Sequence, residues 1–172
     1  MTTKNSDVLE LGTTEAEING SLTVDVRPPA KLIHDLRKFP WPLPSDHFRF
    51  IIASHIIEHI PDTMRFMEEI WRISKPNAKI ILRYPHYTSA GAFEHPTHSR
   101  YFSLYTFSWF AGKNSAYHTD VKFRFVRAYF RLYKGKGAFL NRLANISPVF
   151  FERHLAWLFG VAEVICELEV IK

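Results

Sequence analysis

The sequence predicts one α/β domain spanning residues 1–172, with a mostly parallel β-sheet and an antiparallel strand near the C-terminus. A chain of 172 residues fits a single domain with a sizeable core. Its first half alternates short β-rich runs with helical patterns, which is typical of βαβ units on a parallel sheet. Its last run, residues 161–171, alternates regularly and has one wholly apolar row, which indicates a strand with one buried face.

The composition is that of a folded protein without a membrane anchor. Hydrophobic residues make up 47% and charged residues 23% of the chain, which excludes disordered and fibrous classes. No apolar run approaches the ~20 residues that a transmembrane helix needs, and residues 1–7 lack the apolar stretch of a secretory signal. We therefore expect a soluble, cytoplasmic protein. Cys166 is the single cysteine, so neither an internal disulfide nor a cysteine-based zinc site is expected.

Five strands are expected in the first half of the chain, at residues 8–11, 21–26, 32–34, 50–53 and 79–84. Only 13 positions separate Gly12 from Asp25, so the first crossover helix is expected to be stunted or absent. Residues 39–44 are expected to form a loop, because three alternating prolines fit neither a helix nor a central strand.

One amphipathic helix is predicted over residues 63–73, with Asp62 as its N-cap and residues 75–77 as its end. A long loop at 86–98 follows the fifth strand, and loops of that length tend to be functional. Residues 101–110 carry six aromatic side chains, which either pack onto the core or wall a pocket. Beyond them we expect a β-rich run at 121–132, a mostly helical region at 139–158 and the final strand.

Polar residues follow successive strands of the predicted sheet at the points where the strands end. In an open parallel sheet these ends form a binding crevice, so we expect one site that contains Gly12, Asp25, Asp35, Ser54 and His55. The carboxylate of Asp25, which ends the second strand, suits the two hydroxyls of a ribose. The carboxylate of Asp35, on a loop with apolar neighbours, suits the exocyclic amine of a flat ring such as adenine.

Six segments resemble, in order and spacing, the motifs of class I S-adenosylmethionine-dependent methyltransferases of the small methyltransferase-domain type. They cover residues 8–86: VLELG at 8–12, TVDVRP at 23–28, HDL at 34–36 with the proline-rich loop, IIASHIIEHI at 51–60, WRISKP at 71–76 and IILRYP at 80–85. A weaker match follows at HPTH, residues 95–98, and at the final strand. Each segment alone is a weak signal, whereas six in order are specific.

The resemblance implies a Rossmann-like class I methyltransferase fold and an enzyme that moves a methyl group from S-adenosylmethionine to an unidentified acceptor. It implies that Gly12 and Asp25 hold the methionine and ribose parts of the cofactor. Asp35 and Leu36 would hold the adenine. The remaining positions of the implied cofactor site are Ser54 and His55 at the methionine end, together with Glu10, Leu11 and Val26 in the first two motifs.

Two departures from the family pattern support an alternative. The cofactor loop usually reads Gly-x-Gly, but here Thr13 and Thr14 follow Gly12, so a side chain stands where glycine would admit the ligand. The chain also begins almost at its first strand, so we expect the N-terminal helices that often cover the cofactor to be missing. The alternative function is a degenerate methyltransferase-fold protein that acts as a partner-binding module. An uncovered, aromatic-rich surface also favours a homodimer.

Basic residues cluster in the segment 121–142. The formal net charge of the chain is +5, whereas residues 121–150 hold seven basic residues and no acidic one. Such a block attracts phosphates, and the interleaved aromatic residues match a stacking surface for bases. A second alternative is therefore a nucleic-acid methyltransferase that uses residues 121–142. Basic residues on a solvent face and aromatic residues in the core explain the same pattern without a nucleic acid.

Histidines are the candidates for catalysis and for metal binding. His86 and His98 lie on the long loop, where the family builds its substrate pocket, and either can accept a proton near neutral pH. His55, Glu58 and His59 have a spacing that can bind a metal ion, and some related O-methyltransferases place ligands on a similar Glu-x-x-Glu-His pattern. Because His55 replaces the first glutamate and metal-free relatives share the Glu-His pair, no metal is expected.

Overall fold

The computed structural model describes residues 6–111, 120–133 and 137–172. The strands within these residues are β1 (Val8–Leu11), β2 (Leu22–Asp25), β3 (Leu32–Ile33), β4 (Phe48–Ser54), β5 (Ser74–Pro85), β6 (Lys122–Arg131) and β7 (Glu163–Ile171). The α-helices are α1 (Thr63–Ile73), α2 (Gly91–Glu94), α3 (Gly137–Ile146), α4 (Pro148–His154) and α5 (Ala156–Phe159).

The seven strands belong to one sheet with the order β3-β2-β1-β4-β5-β7-β6. Strands β1 to β5 are parallel to one another, and β7 runs antiparallel to both β5 and β6. The predicted fold class, a mostly parallel sheet with an antiparallel strand near the C-terminus, is therefore confirmed. Because β1 lies between β2 and β4, the strand order reverses there, which opens a crevice at the carboxyl ends of these strands.

The connection from β1 to β2, residues 12–21, contains no helix, as its short length predicts. The buried carboxylate of Glu10 holds this connection, since it accepts hydrogen bonds from the N–H groups of Glu17 and Ile18 and from the Ser21 hydroxyl. Burial opposes ionisation of Glu10, but these hydrogen bonds hold its pKa below the ordinary value. Glu10 thus gives a fixed shape to a loop that has no helical hydrogen bonds of its own.

Helix α1 has the predicted bounds and the predicted N-cap. The side chain of Asp62 accepts a hydrogen bond from the N–H of Arg65 at 3.0 Å. The next strand is longer than predicted, because β5 begins at Ser74, directly after the helix. Asn77 has a positive φ of 61°, and the register between β4 and β5 shifts in this region. The predicted turn is therefore absorbed as an irregularity inside β5.

The C-terminal region predicted to be mostly helical consists of three short helices. Pro148 occupies the start of α4, where its missing N–H is tolerated, so α3 ends before it. Many apolar side chains of these helices are exposed: Phe139, Leu143, Ile146, Phe150, Trp157 and Leu158. Among the described helices, none combines the length and the apolarity that crossing a membrane requires.

The aromatic segment 101–110 both packs on the core and walls a groove. Three of its rings are buried: Phe102, Phe107 and Phe110. Three others are exposed and line a groove of about 720 Å³: Tyr101, Tyr105 and Trp109. In β6, Phe123 and Phe130 are buried. Core packing therefore accounts for part of the aromatic pattern in both segments.

Acidic residues of β7 pair with the three arginines of β6. Three arginines lie opposite three glutamates and form ion pairs with them across the sheet: Arg124 with Glu169, Arg127 with Glu167 and Arg131 with Glu163. Lys134 and Lys136, which belong to the same basic block, lie outside the described residues. The arginines of β6 are thus already paired. Ion pairing within the sheet explains their presence better than nucleic-acid binding does.

Reversing one charge of this ladder is expected to destabilise the fold slightly. Arg124→Glu places two carboxylates opposite each other and should lower the free energy of unfolding by about 0.5–1 kcal/mol. The swapped double variant Arg124→Glu/Glu169→Arg should recover most of the loss. Urea denaturation of the wild type, Arg124→Glu, Glu169→Arg and the double variant measures the coupling, and additive losses would contradict a cross-strand ion pair.

Candidate functional site

A cavity of about 380 Å³ lies at the carboxyl ends of β1 to β4. We call it the strand-end cavity. Residues that follow these strands form most of its wall: Gly12, Asp25, Val26, Arg27, His34, Asp35, Leu36, Arg37, His55 and Ile56. The rest comes from the segment after His55 and from the long loop: His59, Ile60, His95 and Thr97. Parallel strands bring these polar residues together because their carboxyl ends meet at one edge of the sheet.

Gly12 lies where the end of β1 packs against the segment that follows β4. Its φ of 79° is in the left-handed region, and its N–H donates to the carbonyl of Val24 at 2.9 Å. A Cβ at this position would lie 2.6 Å from the Cβ of Ile56 and 3.1 Å from the carbonyl oxygen of Ser54. Backbone conformation and close packing therefore both require glycine here.

Asp25 ends β2 and presents a carboxylate to the cavity. Its Oδ1 accepts hydrogen bonds from the backbone N–H and the Nε of Arg27, at 2.9 and 3.2 Å. No described residue donates a hydrogen bond to Oδ2, although only 7% of the residue is exposed. Oδ2 of Asp25 is therefore an acceptor at the wall of the cavity, and it suits a ligand that donates a hydrogen bond.

The carboxylate of Asp35 has hydrogen-bond partners on both oxygens, whereas that of Asp25 has them on one. Its Oδ1 accepts from the backbone N–H and the Nε of Arg37, and its Oδ2 accepts from Nη2 at 3.0 Å. The hydrogen bond from the Arg37 side chain holds the pKa of Asp35 below its ordinary value. Asp35 is thus an anion whose two oxygens are both shared with one arginine, and a ligand amine would have to share them too.

His55 follows β4 and is held between two carboxylates. Its Nε2 lies 2.9 Å from Oε2 of Glu163, and its Nδ1 lies 3.4 Å from Oε1 of Glu58. Hydrogen bonds to Glu163 and Glu58 raise the pKa of His55 to about 9. Burial opposes ionisation of Glu163, but the hydrogen bond from His55 and the nearby Arg131 lower its pKa. His55 is therefore a fixed cation at neutral pH rather than a proton acceptor.

The raised pKa of His55 predicts a pH-dependent stability. Its pKa rises from 6.5 to about 9 on folding, so its contribution is complete below pH 6.5 and is lost as the pH rises to about 9. His55→Asn, in which asparagine tolerates the positive φ of 49°, should therefore be most destabilising near pH 6 and least near pH 10. Urea denaturation from pH 6 to 10 tests this.

The exposed His154, replaced by Asn, controls for the loss of one histidine. A His55→Asn deficit that stays constant from pH 6 to 10 would show that the two carboxylates do not hold the imidazolium.

A second cavity of about 380 Å³ adjoins the first and shares His55, His59 and His95 with it. We call it the histidine cavity. The other residues of its wall are Glu58, Pro85, Ser89, Gly91, Glu94, His98 and Ala162. The long loop that begins after β5 supplies most of them, so this loop borders the histidine cavity.

His86 lies outside both cavities. Its ring is fully buried, with Nε2 2.9 Å from Oε1 of Glu152 and Nδ1 2.8 Å from the hydroxyl of Thr88. The same Glu152 oxygen accepts the N–H of Leu104 at 2.8 Å. Burial opposes ionisation of Glu152, but the hydrogen bond from His86 lowers its pKa. This arrangement fixes the start of the long loop to α4.

The sequence profile of a family described as "Methyltransferase domain" matches residues 17–159, which is most of the chain. The chain belongs to this methyltransferase family. No curated protein matches it in sequence.

Solved structures share the fold of the methyltransferase at low sequence identity. A SAM dependent methyltransferase from Archaeoglobus fulgidus has a TM-score of 0.55 at 19% identity, over 94% of this chain and 85% of its own. An S-adenosylmethionine dependent methyltransferase from Mesorhizobium loti has 0.55 at 12%, over 94% and 89%. A putative methyltransferase from Haloferax volcanii, solved with the Trm112 methyltransferase activator, has 0.60 at 16%, over 95% and 81%. The resemblance to class I S-adenosylmethionine-dependent methyltransferases is confirmed.

The methyltransferase brings together most of the residues predicted for its site. Six predicted cofactor residues line the strand-end cavity: Gly12, Asp25, Val26, Asp35, Leu36 and His55. Three do not line it: Glu10, Leu11 and Ser54. Of the two predicted catalytic histidines, His98 lines the histidine cavity and His86 lines neither.

Sequence reasoning missed the two arginines of the strand-end cavity. Arg27 and Arg37 each follow an aspartate by two positions, and each donates a backbone N–H and an Nε–H to that aspartate. The repeated Asp-x-Arg pattern after two successive strands was a signal for this pairing. Nothing comparable in the sequence links His95 and Thr97 to His59, because the packing of the long loop decides that contact.

Proposed function

We propose that the strand-end cavity binds S-adenosylmethionine and that a methyl acceptor enters through the adjoining histidine cavity. The observation that carries this proposal is Asp25, whose buried carboxylate lies at the end of β2 and keeps Oδ2 without a described partner. A ribose offers two hydroxyl donors to such a group. The volume of the cavity, about 380 Å³, lies in the ordinary range of about 300–1,000 Å³ for small-molecule sites.

Other residues of the cavity suit the remaining parts of the cofactor. Leu36 and Ile60 are apolar and can flank the adenine, while Asp35 can share an oxygen with its amine. The imidazolium of His55 supplies positive charge beside the methionine end, where the cofactor carries a carboxylate. The proposed contacts to ribose and adenine do not involve the loop after Gly12, so they do not require the second glycine of the family pattern.

The residues of the two cavities divide the work of methyl transfer. When bound, S-adenosylmethionine supplies an electrophilic methyl group on a positively charged sulfur. The acceptor must present a lone pair in line with the methyl–sulfur bond, so positioning by the cavity walls is the main contribution of the protein. His55 is charged and cannot take a proton from the acceptor. His98 lines the histidine cavity, and its Nδ1–H donates to the carbonyl of Ala92 at 2.9 Å, which fixes the orientation of its ring.

Calorimetric titration of the purified protein with S-adenosylmethionine and S-adenosylhomocysteine tests the proposal. We expect one binding site per chain with micromolar affinity for both. A well-folded protein, shown by circular dichroism, that releases no heat with either ligand would contradict the proposal. That result would support the degenerate partner-binding module instead.

A further inference from the structure

Three histidines meet where the strand-end cavity and the histidine cavity adjoin. One ring nitrogen from each of His59, His95 and His98 lies within 4.8 Å of the others. The ring centroids are separated by 4.6 Å for His59–His98, 5.1 Å for His59–His95 and 5.2 Å for His95–His98. Metal–nitrogen bonds of about 2.0–2.1 Å require the three nitrogens to lie somewhat closer together. The ring of His95 is exposed and can rotate to bring them closer.

In two of these rings, His59 and His98, a hydrogen bond from Nδ1 leaves the opposite nitrogen available. His98 donates its Nδ1–H to the carbonyl of Ala92 at 2.9 Å, so its Nε2 carries a lone pair. The hydroxyl oxygen of Thr97 lies 2.7 Å from Nδ1 of His59 and can accept its N–H. Nδ1 of His95 lies 2.8 Å from the same hydroxyl and accepts the backbone N–H of Thr97 at 3.4 Å, so His95 binds a metal ion only after its ring has turned. Histidines that bind metal ions almost always donate their other N–H in this way.

A buried carboxylate beside the three rings supplies an independent observation. Glu58 is 1% exposed, and its Oε1 lies 4.0 Å from Nε2 of His98. Its Oε2 is buried and has no hydrogen-bond partner among the described residues. A buried and only partly paired carboxylate is costly, and a divalent cation held by the adjacent imidazoles would compensate its charge.

We propose that His59, His95 and His98 bind one divalent transition-metal ion, such as Zn²⁺ or Co²⁺. Neutral imidazole is a preferred ligand of such ions, and a site with three protein ligands keeps a coordination position open for water or substrate. This site differs from the metal site that sequence spacing suggested, which consisted of His55, Glu58 and His59. Only His59 belongs to both sets. His55 is occupied by two carboxylates and is excluded as a ligand by its positive charge.

The position of the ion assigns a substrate class to the adjoining cavity, on the condition that the proposed methyl transfer is correct. His59 and His95 line both cavities, so they would hold the ion where the proposed cofactor site adjoins the proposed acceptor site. Binding to a divalent ion lowers the pKa of a hydroxyl group, which makes its oxygen a better nucleophile at neutral pH. With an ion held there, the favoured methyl acceptor would be an oxygen compound, whose hydroxyl would bind the ion and lose its proton to solvent.

Titration of the untagged protein with Co²⁺ tests the metal site without any assay of activity. We expect one Co²⁺ per chain and the visible absorption bands of a low-coordinate nitrogen site. His98→Ala should abolish this spectrum, and Thr97→Val should weaken binding roughly 10–100-fold by removing the acceptor for the Nδ1–H of His59. His154→Ala, an exposed histidine elsewhere, should bind like the wild type. Equal Co²⁺ binding by wild type and His98→Ala would overturn the site.

Two further titrations separate this inference from the proposed function. Acetohydroxamate, an oxygen ligand, should change the Co²⁺ spectrum if the ion has an open position, and an unchanged spectrum would overturn the assignment of an oxygen acceptor. S-adenosylhomocysteine should bind with similar affinity to wild type and to His98→Ala. If the protein binds the cofactor but not Co²⁺, only the proposed metal site is wrong. If it binds Co²⁺ but not the cofactor, the proposed cofactor and the substrate class that depends on it are wrong.

Discussion

Gly12→Ala is expected to lower the free energy of unfolding by about 2–5 kcal/mol. The left-handed conformation at φ 79° accounts for about 1–2 kcal/mol of this loss for a residue with a Cβ. Overpacking adds about 1–3 kcal/mol, because the new methyl group would lie 2.6 Å from the Cβ of Ile56 and 3.1 Å from a backbone oxygen. Neither of these atoms can move by a side-chain rotation.

Gly20 provides a matched control for the conformational part of this loss. Its φ is 84°, but a Cβ there would meet no atom within 4 Å. Gly20→Ala should therefore lose only the conformational share, and the difference between the two alanine variants measures the packing of β1 against the end of β4. Ile56→Ala should not rescue Gly12→Ala, because alanine keeps the clashing Cβ.

Urea denaturation, followed by tryptophan fluorescence and circular dichroism, measures the free energy of unfolding of four proteins under one set of conditions. They are the wild type, Gly12→Ala, Gly20→Ala and the double variant Gly12→Ala/Ile56→Ala. Equal losses for the two glycine variants would show that the segment after β4 relaxes freely. Because Ile56 also lines the strand-end cavity, that outcome would further mean that the wall of the cavity is not fixed by this contact.

Local patterns in the sequence are sufficient to predict the sheet and the convergence of polar residues at one of its edges. The β-rich runs define the strands, and the polar residues at their ends converge because parallel strands finish at one edge. Asp25 and Asp35 are therefore found on one cavity, as predicted. The bounds of α1 follow from its cap and its apolar spacing.

Contacts between distant segments are what the sequence does not reveal. The charge of His55 depends on Glu163, which β7 brings beside it from the far end of the chain. His86 has the chemistry of a proton acceptor, but a glutamate of α4 holds it inside the core. Lone histidines have no pattern of their own, so only tertiary packing decides which of them is a cation, a buried hydrogen-bond donor or a member of a cluster.

Asp25→Ala is expected to weaken binding of S-adenosylhomocysteine by about 1–3 kcal/mol, which is roughly a 5–150-fold loss of affinity. The physical reason is the loss of charge-assisted hydrogen bonds from the ribose hydroxyls to a carboxylate that is 7% exposed. Calorimetric titration of the wild type and the variant at constant pH and salt measures this loss. Unchanged affinity would place the ribose elsewhere.

Asp25→Asn separates loss of the ligand contact from damage to the turn that Asp25 builds. The amide oxygen of asparagine can still accept the N–H of Arg27, which Oδ1 accepts at 2.9 Å in the wild type. Its amide nitrogen, in contrast, is a donor and cannot accept a ribose hydroxyl in place of Oδ2. If the ligand contact matters, Asp25→Asn should lose nearly as much affinity as Asp25→Ala while keeping the wild-type stability. If only the alanine variant binds weakly, the role of Asp25 is to shape the turn, and the ribose is held by other groups of the cavity.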